Sequence, residues 1–401
     1  MKFLIISDLH IGIKARSKEL CPYPDGSYKD DQLVDSFLTY ASNYIKNFGD
    51  FDFLIIPGDI TNNSNLIEYD CGSKFLTKIT KELNIDISKV IFVPGNHDVD
   101  WSILTGIPEE EKEFRRPHKY NTLKDISHVF SNFCVPDLLL APYLKVWEFD
   151  DVVFFGFNSS WHDDAFQKNH YGLITLEQIQ QLKEVFDKTD MNKLKIFVVH
   201  HHLHQFDNPH PDWIDVSIMQ NGQSLINLLS EYSFNFVLHG HRHLPNFLST
   251  QIENFNPINI LCSGSYSCEV PTEIAGYVGN LFHVLEIDSF TKDNCKGRVL
   301  SLAYDHRKGW IESADNHGIG HISPFGNEMA LNRLIDDCSN HITEILKKEP
   351  MVSYSQLVGK ISDLAYLPAH SKDKLLKELK SKCNVSIAKT EDDLLFILKK
   401  P

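Results

Sequence analysis

The sequence predicts an α/β fold, with helices packed on the faces of mixed β-sheets and a smaller helical domain at the end of the chain. Three observations carry this. Short apolar runs rich in β-branched and aromatic residues recur at 2–6, 53–57, 90–93, 152–157, 195–199, 234–238, 258–262 and 281–287. Helical periodicity fills the gaps between the early runs, as strands alternating with helices require. The later runs follow one another closely, as in a meander, which makes the sheets mixed rather than purely parallel.

In chain order, the first run ends at Asp8-Leu9-His10. In 32–48, Leu33, Phe37, Leu38, Tyr40, Ala41, Tyr44, Ile45 and Phe48 recur at three- and four-residue spacing, the mark of a helix with one apolar face. The run 53–57 ends in Gly58-Asp59, and a second helical pattern follows at 74–83. The run 90–93 stops at Pro94, which cannot donate to a sheet ladder, and empties into Gly95-Asn96-His97-Asp98. Residues 99–130 and 159–175 follow strand ends and read as insertions able to rim a site there. A third helical pattern spans 176–186. Residues 308–326, irregular and rich in Gly, Ser and Pro, read as a linker between a domain over 1–307 and another over 327–401. The latter starts with a stripe from Leu331 to Leu346, has shorter helices near 354–365 and 371–382, and closes with a hairpin of 385–388 and 394–398. Helices followed by a hairpin give it a winged-helix-like order.

Composition narrows the function classes. The whole chain carries a net charge of −15; 327–401, with 12 Lys and Arg against 11 Asp and Glu, is near neutral and the rest carries −16, so the basic footprint that sequence-independent DNA binding needs is missing. Nucleic acid stays open as a substrate, because bound metal would reverse the local sign. No run of eighteen apolar residues reads as a membrane span, and the short apolar run at the start does not read as a signal-peptide core; the expectation is cytoplasmic. Eight cysteines are scattered without a Cys-x-x-Cys pair, as suits reduced thiols.

Five strand ends carry ligand-type residues. They are Asp8-x-His10, Gly58-Asp59, Gly95-Asn96-His97-Asp98, His200-His201-His202 after the run 195–199, and Gly240-His241-x-His243 after Phe236-Val237-Leu238. Residues two apart on extended backbone point to one side, so Asp8 with His10 and His241 with His243 each reach a common pocket. One histidine at a strand end is ordinarily a hydrogen-bonded structural residue; five such ends together are not explained by packing. Neutral imidazoles mixed with carboxylates suit manganese, iron or zinc rather than calcium. The donors exceed the needs of one ion and suit two divalent ions about 3.5–4 Å apart.

These blocks, in this order, resemble the calcineurin-like metallophosphoesterase family over about residues 1–290. The resemblance implies a two-sheet α/β sandwich with a dinuclear centre at its top. It implies that Asp8, His10 and His243 hold one metal and that Asn96, His201 and His241 hold the other, with Asp59 bridging. His200 is the alternative to His201, because the triple histidine lacks the family's following proline. It also implies that His97 acts on the scissile phosphate, with Asp98 behind it. Arg115, Arg116 and His170 in the two insertions are candidates for substrate contact.

Among subfamilies the closest look is to bacterial class III cyclic-nucleotide phosphodiesterases, through Asn158-Ser159-Ser160, Tyr171-Gly172, the histidine tract and Leu261-Cys262-Ser263-Gly264-Ser265. The resemblance therefore implies hydrolysis of a cyclic nucleotide or another small phosphodiester. A nuclease of the same fold is the alternative, and a non-catalytic metal-binding scaffold the third reading. Residues 327–401 are open to a protein partner or a second copy of the chain.

Overall fold

Strand β1 (Lys2–Ile5) pairs in parallel with β2 (Phe53–Ile56), and β2 with β3 (Val90–Phe92). The structure, a computed structural model, describes residues 1–26, 30, 32–125, 143–164, 170–190, 192–205, 217–250, 255–269, 278–390 and 395–399. Cys134, parts of both expected insertions (126–130 and 165–169) and residues 391–394 of the expected hairpin lie outside these residues.

The strands that follow are β4 (Leu144–Glu148), β5 (Val152–Phe157), β6 (Leu194–Val199), β7 (Phe236–His239), β8 (Asn246–Thr250), β9 (Ile258–Cys262), β10 (Leu281–Phe290), β11 (Cys295–Asp305) and β12 (Gly309–Glu312). One sheet runs β12-β11-β10-β1-β2-β3 and the other β4-β5-β6-β7-β9-β8. Each has a parallel centre and antiparallel members, as β1 with β10 and β8 with β9. Registers Ile5↔Ile55 and Ile56↔Phe92 bring the ends of β1, β2 and β3 to one edge, and Val198↔Leu238 does the same for β6 and β7.

Both faces of β2, β5 and β6 are buried, which explains runs that are apolar but for Lys195. On one side Leu4, Ile6, Leu54 and Ile56 pack with Phe37 and Leu38 of the helix Leu33–Phe48 and Leu76 and Ile79 of the helix Leu66–Glu82. Phe3 and Phe53 lie against Phe154 of the second sheet, at ring-centroid distances of 6.1 and 5.0 Å. The outer face of β5 and β6, with Phe155, Phe197 and Val199, packs with Leu182 and Phe186 of the helix Leu176–Phe186 and Leu225 and Leu229 of the helix Gly222–Glu231. Each large side chain buried this way stabilises the fold by roughly 2 kcal/mol.

The helix expected over 74–83 begins earlier, at Leu66, because the Asn65 side chain accepts a hydrogen bond from the Glu68 N–H and caps it. The stretch 308–326, expected as a linker, holds β12 at the edge of the first sheet and β13 (Ile322–Phe325).

The chain divides into two compact units, the second comprising Ile287–Ser289, Cys295–Arg298 and Ile322–Pro401. The second unit contains the helix Leu331–Ile345, β14 (Met351–Ser353), the helices Tyr354–Lys360 and Ala369–Lys382, then β15 (Val385–Lys389) and β16 (Leu395–Lys399). Its three late strands form an antiparallel sheet in the order β14-β16-β15 over a core that includes Leu334, Cys338, Leu357, Leu375 and Ile397. Asp363 fastens its start, accepting hydrogen bonds from the N–H groups of Glu328 and Met329 and pairing with Lys296. No helix among the described residues is long and apolar enough to cross a membrane.

Candidate metal centre

At the aligned strand ends the backbone turns sharply. Asp8 and His10 after β1, Asp59 after β2, and His241 and His243 after β7 all have positive φ, between 44° and 71°. Such conformations cost a non-glycine residue energy and cluster where a chain is committed to function. Two glycines permit the close approach. A Cβ on Gly95 would lie 2.1 Å from Asp59 Oδ1, and one on Gly240 would lie 2.1 Å from Asp8 Oδ2.

The turns gather ligand atoms into two adjoining groups. In the first, His10 Nε2 lies 2.9 Å from His243 Nε2 and 3.5 Å from Asp59 Oδ2, while Asp8 Oδ1 lies 3.3 Å from His243 Nε2. In the second, His200 Nε2 lies 3.2 Å from Asp59 Oδ2, 3.0 Å from Asn96 Oδ1 and 3.2 Å from His241 Nδ1. Asn96 Oδ1 is also 2.8 Å from His241 Nδ1. One atom, Asp59 Oδ2, faces both groups. Asp8, His10, Asp59, Asn96 and His200 are buried, and His97, His241 and His243 are partly exposed, so the cluster opens on that side.

The sequence reading puts the ligand of the triple histidine at His201; the structure brings His200 to the cluster instead. His200 continues the face of β6 that includes Ile196 and Val198, and its Nδ1 donates to the Pro57 carbonyl at 2.8 Å. His201 takes the opposite side. Its Nδ1 accepts from Ser159 Oγ at 2.7 Å and its Nε2 donates to the His170 carbonyl at 3.0 Å, so both ring nitrogens are engaged away from Asn96 and Asp59.

The donor chemistry fits a cation. With Nδ1 donating to Pro57, the other nitrogen of His200 faces two oxygen acceptors, a carboxylate and an amide, and something positive must stand between them. In the chain alone a proton does so. Burial opposes charge on His200, but the Asp59 carboxylate outweighs it and pushes the imidazole up to about 9. Burial likewise works against the Asp59 carboxylate, yet His200 and His97 hold it well below the usual carboxylate range. Burial keeps His10 and His241 far below ordinary imidazole values, hence neutral and ready to donate a lone pair. Asp8, His10, His243 and Asp59 suit one divalent ion, and Asp59, Asn96, His200 and His241 a second.

His97 lies beside this cluster. Its N–H donates to Asp59 Oδ1 at 2.8 Å, and its Nδ1 donates to the Asn62 carbonyl at 2.8 Å, leaving Nε2 uncommitted by that tautomer. Its ring sits edge-on to His10 on one side and Trp101 on the other, at 4.6 and 5.3 Å. Asp98, expected behind His97, does another job. Its carboxylate accepts from the N–H groups of Gly95, Ile60 and Thr61 and from Thr61 Oγ1, tying the loop after β3 to the loop after β2. Burial, and then Asp59, push its carboxyl up to about 7.

The sequence reading does not include Glu68. This buried carboxylate on the helix Leu66–Glu82 accepts from the N–H groups of Asn62 and Asn63, and so fixes the carbonyl that orients His97. No local signal marks it, since an acidic residue in the first turn of a helix is commonplace.

The proposed substrate contacts fall in three places. Arg115 is exposed and lines a surface recess with Glu111, Phe114 and His118. Arg116 is buried and pairs with Glu113 and Glu109 of its own segment. Neither joins the cluster. His170 comes closer: its ring stacks on Trp101 at 4.4 Å, with Nδ1 3.1 Å from Asp163. Lys119 clamps this second insertion to the first, donating from its buried Nζ to the carbonyls of Ser160, Trp161 and Asp163.

A family model described as calcineurin-like phosphoesterase matches residues 1–245. An uncharacterized metallophosphoesterase-like protein of Bacillus subtilis, YydB, is 22% identical over 335 residues, covering 75% of this chain. The chain spans 63% of that relative's length. The purple acid phosphatase PPD1 of yellow lupin (Lupinus luteus) seeds aligns with 78% of this chain and 52% of its own, at 14% identity and a TM-score of 0.46. The phosphopantetheinyl hydrolase of Mycobacterium tuberculosis aligns with 68% of this chain and 91% of its own, at 14% identity and a TM-score of 0.34.

Proposed function

The chain belongs to the calcineurin-like phosphoesterase family, and from that premise we propose that it is a metal-dependent phosphodiesterase acting on a cyclic nucleotide or another small phosphodiester. The observation that carries this reading is the Asp59 carboxylate, whose Oδ2 is shared by two groups of ligand atoms. When bound there, two divalent cations (manganese, iron or zinc) supply an acidified water and neutralise charge developing on the phosphate.

The chain's own part is positioning and proton handling. Asp59 holds the His97 backbone through Oδ1, and the Asn62 carbonyl fixes the ring with Nδ1 protonated, so Nε2 is the atom that gains or gives a proton. Burial lowers the affinity of His97 for that proton, and a bound phosphate anion offsets the penalty. As water attacks phosphorus and the bond to the leaving oxygen breaks, the proton on Nε2 passes to the departing alkoxide, and the proton shed by the attacking water leaves to solvent. His97→Ala is therefore expected to slow esters with poor leaving groups by 10²-fold or more, at the scale of acid–base assistance, and p-nitrophenyl esters much less. Equal losses for both would remove the acid role.

The deciding experiment is a panel of bis-p-nitrophenyl phosphate, cyclic AMP, cyclic GMP, linear DNA and RNA with added manganese, run beside Asp59→Asn. Activity on the small diesters that vanishes in Asp59→Asn supports the proposal. Preference for DNA or RNA would replace it with a nuclease, and activity surviving in Asp59→Asn would undo the two-metal reading.

A further inference from the structure

We propose that Cys268 supplies a thiolate ligand to the metal held by His10 and His243, making that position selective for zinc or ferrous iron over manganese. The inference rests on the two-metal reading above and deepens it.

Ligand atoms of His10, His243 and Cys268 lie within 4.8 Å of one another. His10 and Cys268 are 2% and 4% exposed, so the thiol is closed off from solvent. As a thiol, Cys268 Sγ donates to the Glu269 carbonyl at 3.5 Å, a contact its proton would give up on binding metal. His10 also keeps a buried ring nitrogen, Nδ1, with no hydrogen-bond partner among the described residues.

The thiol is held in place by a laced turn. Ser265 Oγ donates to the Asp8 carbonyl at 2.7 Å, the Tyr266 N–H to the Ser7 carbonyl at 2.8 Å, and Ser267 Oγ to the Leu9 carbonyl. The Cys268 N–H in turn donates to Ser265 Oγ, and the Cys268 carbonyl accepts from Asn280 Nδ2 at 2.9 Å. The segment carrying the thiol is thus fastened, residue by residue, to the segment carrying Asp8 and His10. A cysteine kept only for packing needs no such fastening; Cys338 sits in the apolar core of the second unit.

Coordination would form a metal–sulfur bond and release the thiol proton to solvent, one per metal bound. Thiolate is a soft donor that favours zinc and iron, while carboxylate and water suit manganese. An otherwise hard Asp and His shell would so acquire a preference that its other ligands do not give it.

The test uses the full chain, stripped of metal and reloaded with cobalt(II). The expected wild-type spectrum has visible cobalt d–d bands and a sulfur-to-cobalt charge-transfer band in the near ultraviolet. Cys268→Ser should keep the d–d bands and lose the charge-transfer band. Cys268→Asp, which offers an oxygen donor at the same place, does the same duty if the serine variant fails to fold. Bound cobalt with no charge-transfer band in the wild type, or a band surviving in either folded variant, overturns the assignment of Cys268. Failure of cobalt to bind at all would instead remove the metal centre, and with it the reading on which this proposal stands.

Discussion

His200 and His201 are adjacent residues, and their substitutions should part cleanly. His200→Ala removes a nitrogen that faces Asp59, Asn96 and His241, so metal analysis should find about one metal fewer per chain and phosphodiester turnover close to background. His201→Ala cuts hydrogen bonds to Ser159 and His170 and should keep its metal. Equal metal loss in both would refute the division. Gly240→Ala tests the same scale from the backbone side. Its new methyl collides with the Asp8 carboxylate, and the variant is expected to lose metal although no ligand has been altered. Although the extended backbone assumed for the pairs Asp8–His10 and His241–His243 is left-handed instead, that Asp8, His10, Asp59, Asn96, His241 and His243 gather at one edge was legible from their place at the ends of apolar runs. The choice within the triple histidine was not, because β6 is buried on both faces and its apolar run gives no sign of which parity meets the other sheet.

Among the elements, the loops after β2 and β3 depend on Asp98, which accepts from three backbone N–H groups at once. Asp98→Ala would strand them without partners, and a loss of about 3 kcal/mol or more in denaturant unfolding is expected. A second prediction concerns β10. His283 bridges to β11 through Ser301 Oγ and to the segment after β9 through the Ser263 carbonyl, each at 2.8 Å. Burial pushes its imidazole down to about 4, against 6.5 in the unfolded chain. The unfolded chain therefore binds the extra proton first, and stability that is fully present above pH 6.5 drains away as the pH falls toward 4, by roughly 3 kcal/mol in all. Urea midpoints at pH 7 and pH 4.5 should differ less for His283→Gln than for the wild type. The central strands other than β11, and the helices Leu33–Phe48 and Leu176–Phe186, were readable from periodicity; β11 was not. Edge strands were not: β8 is half-exposed along its length, and β4 and β12 have only one partner each to reward an apolar pattern. The helix Gly222–Glu231 also escaped, since it opens on glycine after Asn221 in a left-handed conformation, with no side-chain cap to announce it.

For the whole molecule, metal and folding should be linked. Without metal, two buried carboxylates face imidazoles across short distances with only protons between them; a divalent ion bound at a hundred times its Kd adds about 2.7 kcal/mol to the folded state. The cluster lies wholly in the first of the two units, which keep separate apolar cores. Calorimetry is expected to resolve a transition that moves down on chelation and another that does not. A single transition, or two that move together, would show the units unfold as one. The sequence reading places a linker over 308–326, where mixed sheet gives way to a helical stripe; that parts of β10 and β11 belong to the second unit was not legible, because a long strand carries no mark of where one core gives way to the next.

The left-handed backbone at Asp8, His10, Asp59, His241 and His243 limits how this centre could be re-engineered. A designer wishing to swap donors would choose by ligand strength, yet these five positions also demand a residue at ease with positive φ, and β-branched or bulky side chains are poor there. Aspartate and histidine satisfy both requirements, and so does asparagine; glutamate and cysteine satisfy only the first. The centre can be re-tuned most freely at ligands that sit on ordinary backbone, such as Asn96 and His200, and attempts to move its chemistry should begin with them.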